Sequence, residues 1–151
     1  MAASKNAALS GIDIYKVGLN VLVFALTPII VTPIIERLSL YIECWGNYVP
    51  DIYDVGKALL LEQDSDEAAA AAWSDRMAAM RDGCRAAIDE LHADENLAPG
   101  WTRQSATDAL WTMLLVPNWE ALTIECGWST KQYISRMKTL AERTFVGQKD
   151  L

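Results

Sequence analysis

The stretch "NWEALTIECGWSTKQYISRMKTL", residues 118–140, decides the fold, because it carries helical patterning on both sides of a tight break. Gly127 suits the left-handed conformation that ends a helix, since it has no Cβ to clash there. Ser129, with Gln132 three residues later, has the spacing of an N-terminal capping box. Beyond the break, Tyr133, Ile134, Met137, Leu140, Ala141 and Phe145 recur at spacings that put them on one helical face. A C-cap followed at once by an N-cap, with Trp128 between, therefore predicts an elbow joining two amphipathic helices.

The same grammar extends upstream. A helix is expected from about Arg103 to Ile124, kinked or restarted at Pro117, which cannot donate a backbone hydrogen bond. Before it, Pro99-Gly100 closes a long helix that reaches about Ala93. That helix opens at Asp64 with Glu67 as a capping pair, and its apolar stripe is Trp73, Met77, Met80, Cys84, Ala87 and Leu91. Residues 33–48 form another helix with Leu38, Tyr41, Trp45 and Tyr48 on one face, closed by Asn47–Asp51 and followed by a short helix to about Leu61. No strand alternation repeats. The expected architecture is an all-α helical bundle of about five to six helices.

Residues 17–35, "VGLNVLVFALTPIIVTPII", form a nearly uncharged run. Its length is marginal for a bilayer, which takes about 20 apolar residues, and Pro28 and Pro33 interrupt it. Thr32 before Pro33 instead reads as the start of a helix. We therefore divide the chain into an apolar leader (residues 1–33), a helical domain (34–147) and a tail (148–151), with membrane attachment through 17–35 held as an alternative.

A 151-residue chain that is 52% hydrophobic and 22% charged can bury a sizeable core without staples. Its net charge of −7 argues against a surface built to neutralise phosphates, so no direct nucleic-acid contact is expected. Arg76, Arg81 and Arg85 alternate with Asp75, Asp82 and Asp89, as in a solvated helix face held by local pairs. Cys44, Cys84 and Cys126 are odd in number and widely spaced, which fits reduced thiols in a cytoplasmic protein better than disulfides or zinc. His92 stands alone, the carboxylates sit in exposed charge runs, and phosphate loops and nucleophile elbows are missing. No catalytic residue, metal site or cofactor is expected, and the chain does not read as an enzyme.

Aromatic and methionine side chains at helical spacing offer two readings. Tyr41, Trp45, Tyr48, Met77, Met80, Cys84 and Trp111 either pack as ordinary core or line a pocket for an apolar or aromatic small molecule. Leu110, Leu114 and Leu122, with the 133–145 stripe, exceed what one small bundle needs, which suits a two-fold interface with a second copy.

The segment "ATDALWTMLLVPNWEALTIECGWSTKQYISRMKTLAERTF", residues 106–145, resembles the C-terminal end of TetR-family transcriptional regulators. The resemblance rests on Leu110-Trp111, Gly127-Trp128-Ser129 and Tyr133. Upstream, Leu97, Pro99 and Gly100 are similar to the exit of that family's central helix. The resemblance implies a small-molecule-sensing and dimerisation domain, with the last two long helices pairing with their mates. It assigns Leu110, Leu114, Leu122, Trp128, Ile134, Met137 and Phe145 to a homodimer interface, and the seven aromatic, Met and Cys residues above to the ligand pocket. Family members begin with a helix-turn-helix that reads DNA. Residues 1–33 carry only two lysines and no arginine, so they do not match such a head. A truncated regulator lacking its own DNA-binding domain is the expectation, with a headless partner of a full-length relative as the alternative.

Overall fold

Helix α1 (Ile34–Glu62) runs straight through the position where the sequence predicts a stop. The computed structural model of the chain describes residues 34–147, which lie in one compact unit, so the apolar run 17–33 and the tail 148–151 fall outside the described residues. Pro50 sits inside α1. Proline removes one intrahelical bond and crowds the carbonyl four residues back, at a cost of about 3 kcal/mol. Core contacts on both sides of it offset that cost. Leu38, Ile42 and Val49 are fully buried, and beyond the proline the Tyr53 ring packs on Trp119 at 5.1 Å. The two helices expected here are therefore one.

Helix α2 (Glu67–Ala93) is capped by Asp66, whose carboxylate accepts from the backbone N–H groups of Ala68 at 2.8 Å and Ala69 at 3.3 Å. The cap is thus two residues later than the expected Asp64. Helix α3 (Arg103–Met113) opens on a reciprocal box between Thr102 and Ser105. It ends at Leu114, and the chain restarts as the short α4 (Val116–Glu120) with Pro117 in its first turn. A wider π-helical turn follows over Ala121–Glu125. Gly127 then takes φ +71°, Ser129 accepts from the Gln132 N–H at 3.1 Å, and α5 (Thr130–Phe145) begins. The elbow read from the sequence is present.

Helix α1 packs against both α2 and α5, and α3 closes the far side of α2. The core gathers Leu38, Ile42, Ile88, Leu91, Leu110, Leu114, Tyr133 and Phe145, all fully buried. Gly46 lets α1 and α5 approach closely, since a Cβ there would collide with Ile134. The link after α2 is tied to the end of α5. Ala98 N–H donates to the Phe145 carbonyl at 2.9 Å, Gly147 N–H donates to Asn96 at 2.7 Å, and Trp101 meets Phe145 edge-on. Among the described residues the fold is an all-α bundle with no strand beyond the isolated Leu97–Val146 bridge.

Candidate functional site

Trp73, Met77 and Arg81 stand four apart on α2, and Asp108, Trp111 and Leu115 occupy the facing flank of α3 and its exit. Such spacing puts each set in a row along one side of its helix. The rows face each other across an open groove of about 1150 Å³, continued by Leu60 from α1 and Pro117 from α4. Its floor is aromatic and aliphatic and its rim is charged. The Arg81 guanidinium pairs with Asp108 and also lies 5.6 Å from the centre of the Trp111 ring. Along the same rim Arg103 pairs with Asp89 at 2.6 Å, and that hydrogen bond holds the guanidinium above its usual pKa. The charges expected to pair locally on α2 do so at Arg76–Asp75 and Arg85–Asp82, while Arg81 and Asp89 bridge to α3 instead.

The indole N–H of Trp111 is shut from solvent and finds no acceptor. The Trp119 N–H and the Tyr133 hydroxyl are also buried without a partner, but neither residue lines the groove. Comparisons with protein-family models, with curated proteins and with solved structures find no match for this chain. Its chemistry must be argued from its own residues.

Of the seven residues expected around one apolar pocket, Met77 and Trp111 line this groove and the other five do not. Met80 and Cys84 are core. Tyr41 fills the space beside them. Its hydroxyl donates to the Met80 carbonyl at 2.9 Å and accepts from the Cys84 thiol at 3.6 Å, and a Cβ on Gly83 would lie 2.6 Å from its ring. Burial pushes the Tyr41 hydroxyl far above its usual pKa and the Cys84 thiol up to about 12, so both stay protonated. Trp45 donates its indole N–H to the Leu114 carbonyl at 2.8 Å, satisfying the frayed end of α3, and Tyr48 leans on Trp45 with ring centres 6.2 Å apart. Tyr41, Met80 and Cys84 thus fill the space between α1 and α2, and the seven residues do not gather around one pocket.

The expected dimer positions divide between core and part-buried sites. Leu110, Leu114 and Phe145 are fully buried and Met137 is 6% exposed, all within the core of this one chain. Leu122, Trp128 and Ile134 are half-buried against that core. Leu140 of the same stripe stays 49% exposed, so this chain covers the 133–145 face only in part.

Near the groove, Lys57 of α1 donates to Glu120 at 2.5 Å and to the Tyr53 hydroxyl at 3.0 Å. The Glu120 bond raises the Lys57 pKa and lowers that of Glu120, and the cluster ties α4 to α1. Among the described residues no three His, Cys, Asp or Glu groups stand close enough to hold a metal ion, and no helix is long and apolar enough to cross a membrane. The groove residues Trp73, Arg81, Asp108 and Leu115 were missed as a set. Their signal was a spacing of three or four residues along each row, but sequence alone does not say that two such rows face each other.

Proposed function

We propose that residues 34–147 form the small-molecule-sensing and dimerisation domain of a TetR-like regulator, with the ligand held in the groove between α2 and α3. The observation that carries the reading is the groove itself: an aromatic floor of Trp73 and Trp111, softened by Met77, under a rim of charged pairs spanning two helices. Binding sites of this kind combine apolar walls with a few polar groups that fix orientation. The rim pairs are half-exposed, so each contributes at most about 1 kcal/mol and yields readily to a ligand. Leu115 and Pro117 of the groove lead into α4 and the π turn, which connect to the elbow, so a shift of α4 would carry to α5.

For pairing, the reading rests on Leu140, the member of the 133–145 stripe that stays exposed. Ile134 and Lys138 face α1 through Gly46 and Glu43, so Leu140, 49% exposed, lies on the far flank of α5. Leu140 and Ile124, the latter 55% exposed at the π turn, offer the apolar surface for a mate.

Gel filtration with light scattering is expected to report twice the 16.7 kDa chain mass, and Leu140→Glu to halve it without unfolding the protein. An aromatic ligand at a hundred times its Kd should stabilise the fold by about 2.7 kcal/mol, read as a rise in Tm. A monomer whose Tm ignores a broad panel of aromatic compounds sinks this reading.

A further inference from the structure

The lining of the groove sorts along its length as well as from floor to rim. Arg103 pairs with Asp89 and Arg81 with Asp108, so α2 and α3 pass each other antiparallel and their residues fall in one order. From Ala70 to Asp89 the α2 wall extends about 28 Å by the helical rise. Trp73, Met77, Trp111 and Leu115 make the half toward α4 apolar. The other half carries three arginines and three aspartates matched one to one: Arg81 with Asp108, Arg85 with Asp82, and Arg103 with Asp89.

Each match is a single hydrogen bond from one guanidinium nitrogen to one carboxylate oxygen, Oδ1. The second oxygen and the other guanidinium N–H groups are left for a neighbour. All six side chains are between 36% and 63% exposed, so those atoms are reachable from the groove mouth. Donors and acceptors thus stand side by side in this half with no net charge. A charged ligand group finds no unmatched partner there. An anion must take an arginine from its aspartate, a cation must do the reverse, and either strands one charge. A hydroxyl donates and accepts at once, so it bridges aspartate to arginine while every pair stays matched.

We propose that the groove takes an aromatic compound with an uncharged, hydroxyl-rich head, such as an aryl glycoside. Its ring lies on Trp73, Met77 and Leu115 and its sugar among the three Arg–Asp pairs. This inference rests on the sensing reading above and concerns the same site.

Calorimetric titration of the full chain with four naphthyl compounds tests it. 2-Naphthyl β-D-glucoside is expected to bind about tenfold tighter than 2-methoxynaphthalene, which lacks the sugar. The glucuronide, an anion, and the glucosaminide, a cation, should each bind about fivefold weaker than the glucoside. Replacing one matched pair, Arg103→Ala with Asp89→Ala, should weaken the glucoside several-fold and leave 2-methoxynaphthalene and the Tm nearly unchanged. Trp73→Ala should weaken both compounds alike. Either charged sugar binding as tightly as the glucoside overturns the uncharged head, and so does 2-methoxynaphthalene matching the glucoside; both results leave ligand sensing intact. Equal losses for the two compounds in the Arg103/Asp89 variant overturn the placement of the sugar. If none of the four binds but other aromatic compounds shift the Tm, the glycoside proposal alone fails; if nothing shifts it, the sensing reading fails as well.

Discussion

Helix α2 takes part in two contacts of opposite character. Along one flank, Gly83 lets Tyr41 of α1 lie against the backbone, and the hydroxyl bonds to Met80 and Cys84 close the seam. Along the other, Arg81 pairs with Asp108 beside the Trp111 ring, and an open groove runs along the edge of the α2–α3 contact. Removing a Cβ brings backbones together and leaves room for nothing else. Placing long charged side chains beside a tryptophan keeps the space along the contact reachable. One helix thereby serves as core on one side and as a binding wall on the other, and the difference is set by a handful of side-chain sizes.

Gly83→Val is the strongest way to break this contrast. The new side chain would meet Tyr41 atoms at 2.6–2.9 Å, force the ring out and cost its bond to Met80. Overpacking and a lost hydrogen bond together should destabilise the fold by about 3 kcal/mol, measured by denaturant unfolding. A near-neutral result would mean that the seam is loose.

The thiols sharpen the same point. Cys84 is fully buried while Cys44 and Cys126 are exposed, so a thiol reagent should label two sites at once and the third only as the seam opens. The pH dependence follows from the raised Cys84 pKa. The unfolded thiol ionises near 9 and the folded one near 12, so the contribution of the protonated thiol is intact below pH 9 and is lost as pH climbs from 9 to 12. Cys84→Ala should show a shallower alkaline loss of stability than the wild type over that window.

The smallest effect is expected across the groove. A double-mutant cycle on Arg81 and Asp108 should give a coupling of about 0.5 kcal/mol that fades in high salt, because both side chains are half-exposed. A coupling several times larger would make the groove as rigid as the seam and argue against an exchangeable rim.

Much of the candidate site was hidden for a specific reason. Trp73, Met77 and Arg81 announce a helical row, and Asp108, Trp111 and Leu115 announce another, but an isolated row reads equally well as core or as surface. The seven residues first grouped as a pocket share a chemical type and not a location. Tyr41, Met80 and Cys84 close one seam, Trp45 caps α3, and only Met77 and Trp111 reach the groove. The 133–145 stripe divides likewise, with Met137 and Phe145 in the core and Leu140 exposed, since amphipathicity says that a face will be covered without saying by what.

What the residues determined alone is local. Gly127 reaches φ +71° because it lacks a Cβ, Ser129 and Thr102 cap helices because a short hydroxyl meets free N–H groups, and Pro117 marks a restart because it has none to offer. Tertiary packing decided the rest. It carried α1 through Pro50, because contacts such as Val49 in the core and Tyr53 on Trp119 outweigh one missing bond. It bound the 96–98 link to the end of α5, and it turned one side of α2 inward and left the other open. Local signals act over a few residues, whereas these outcomes depend on which distant side chains arrive at the same place.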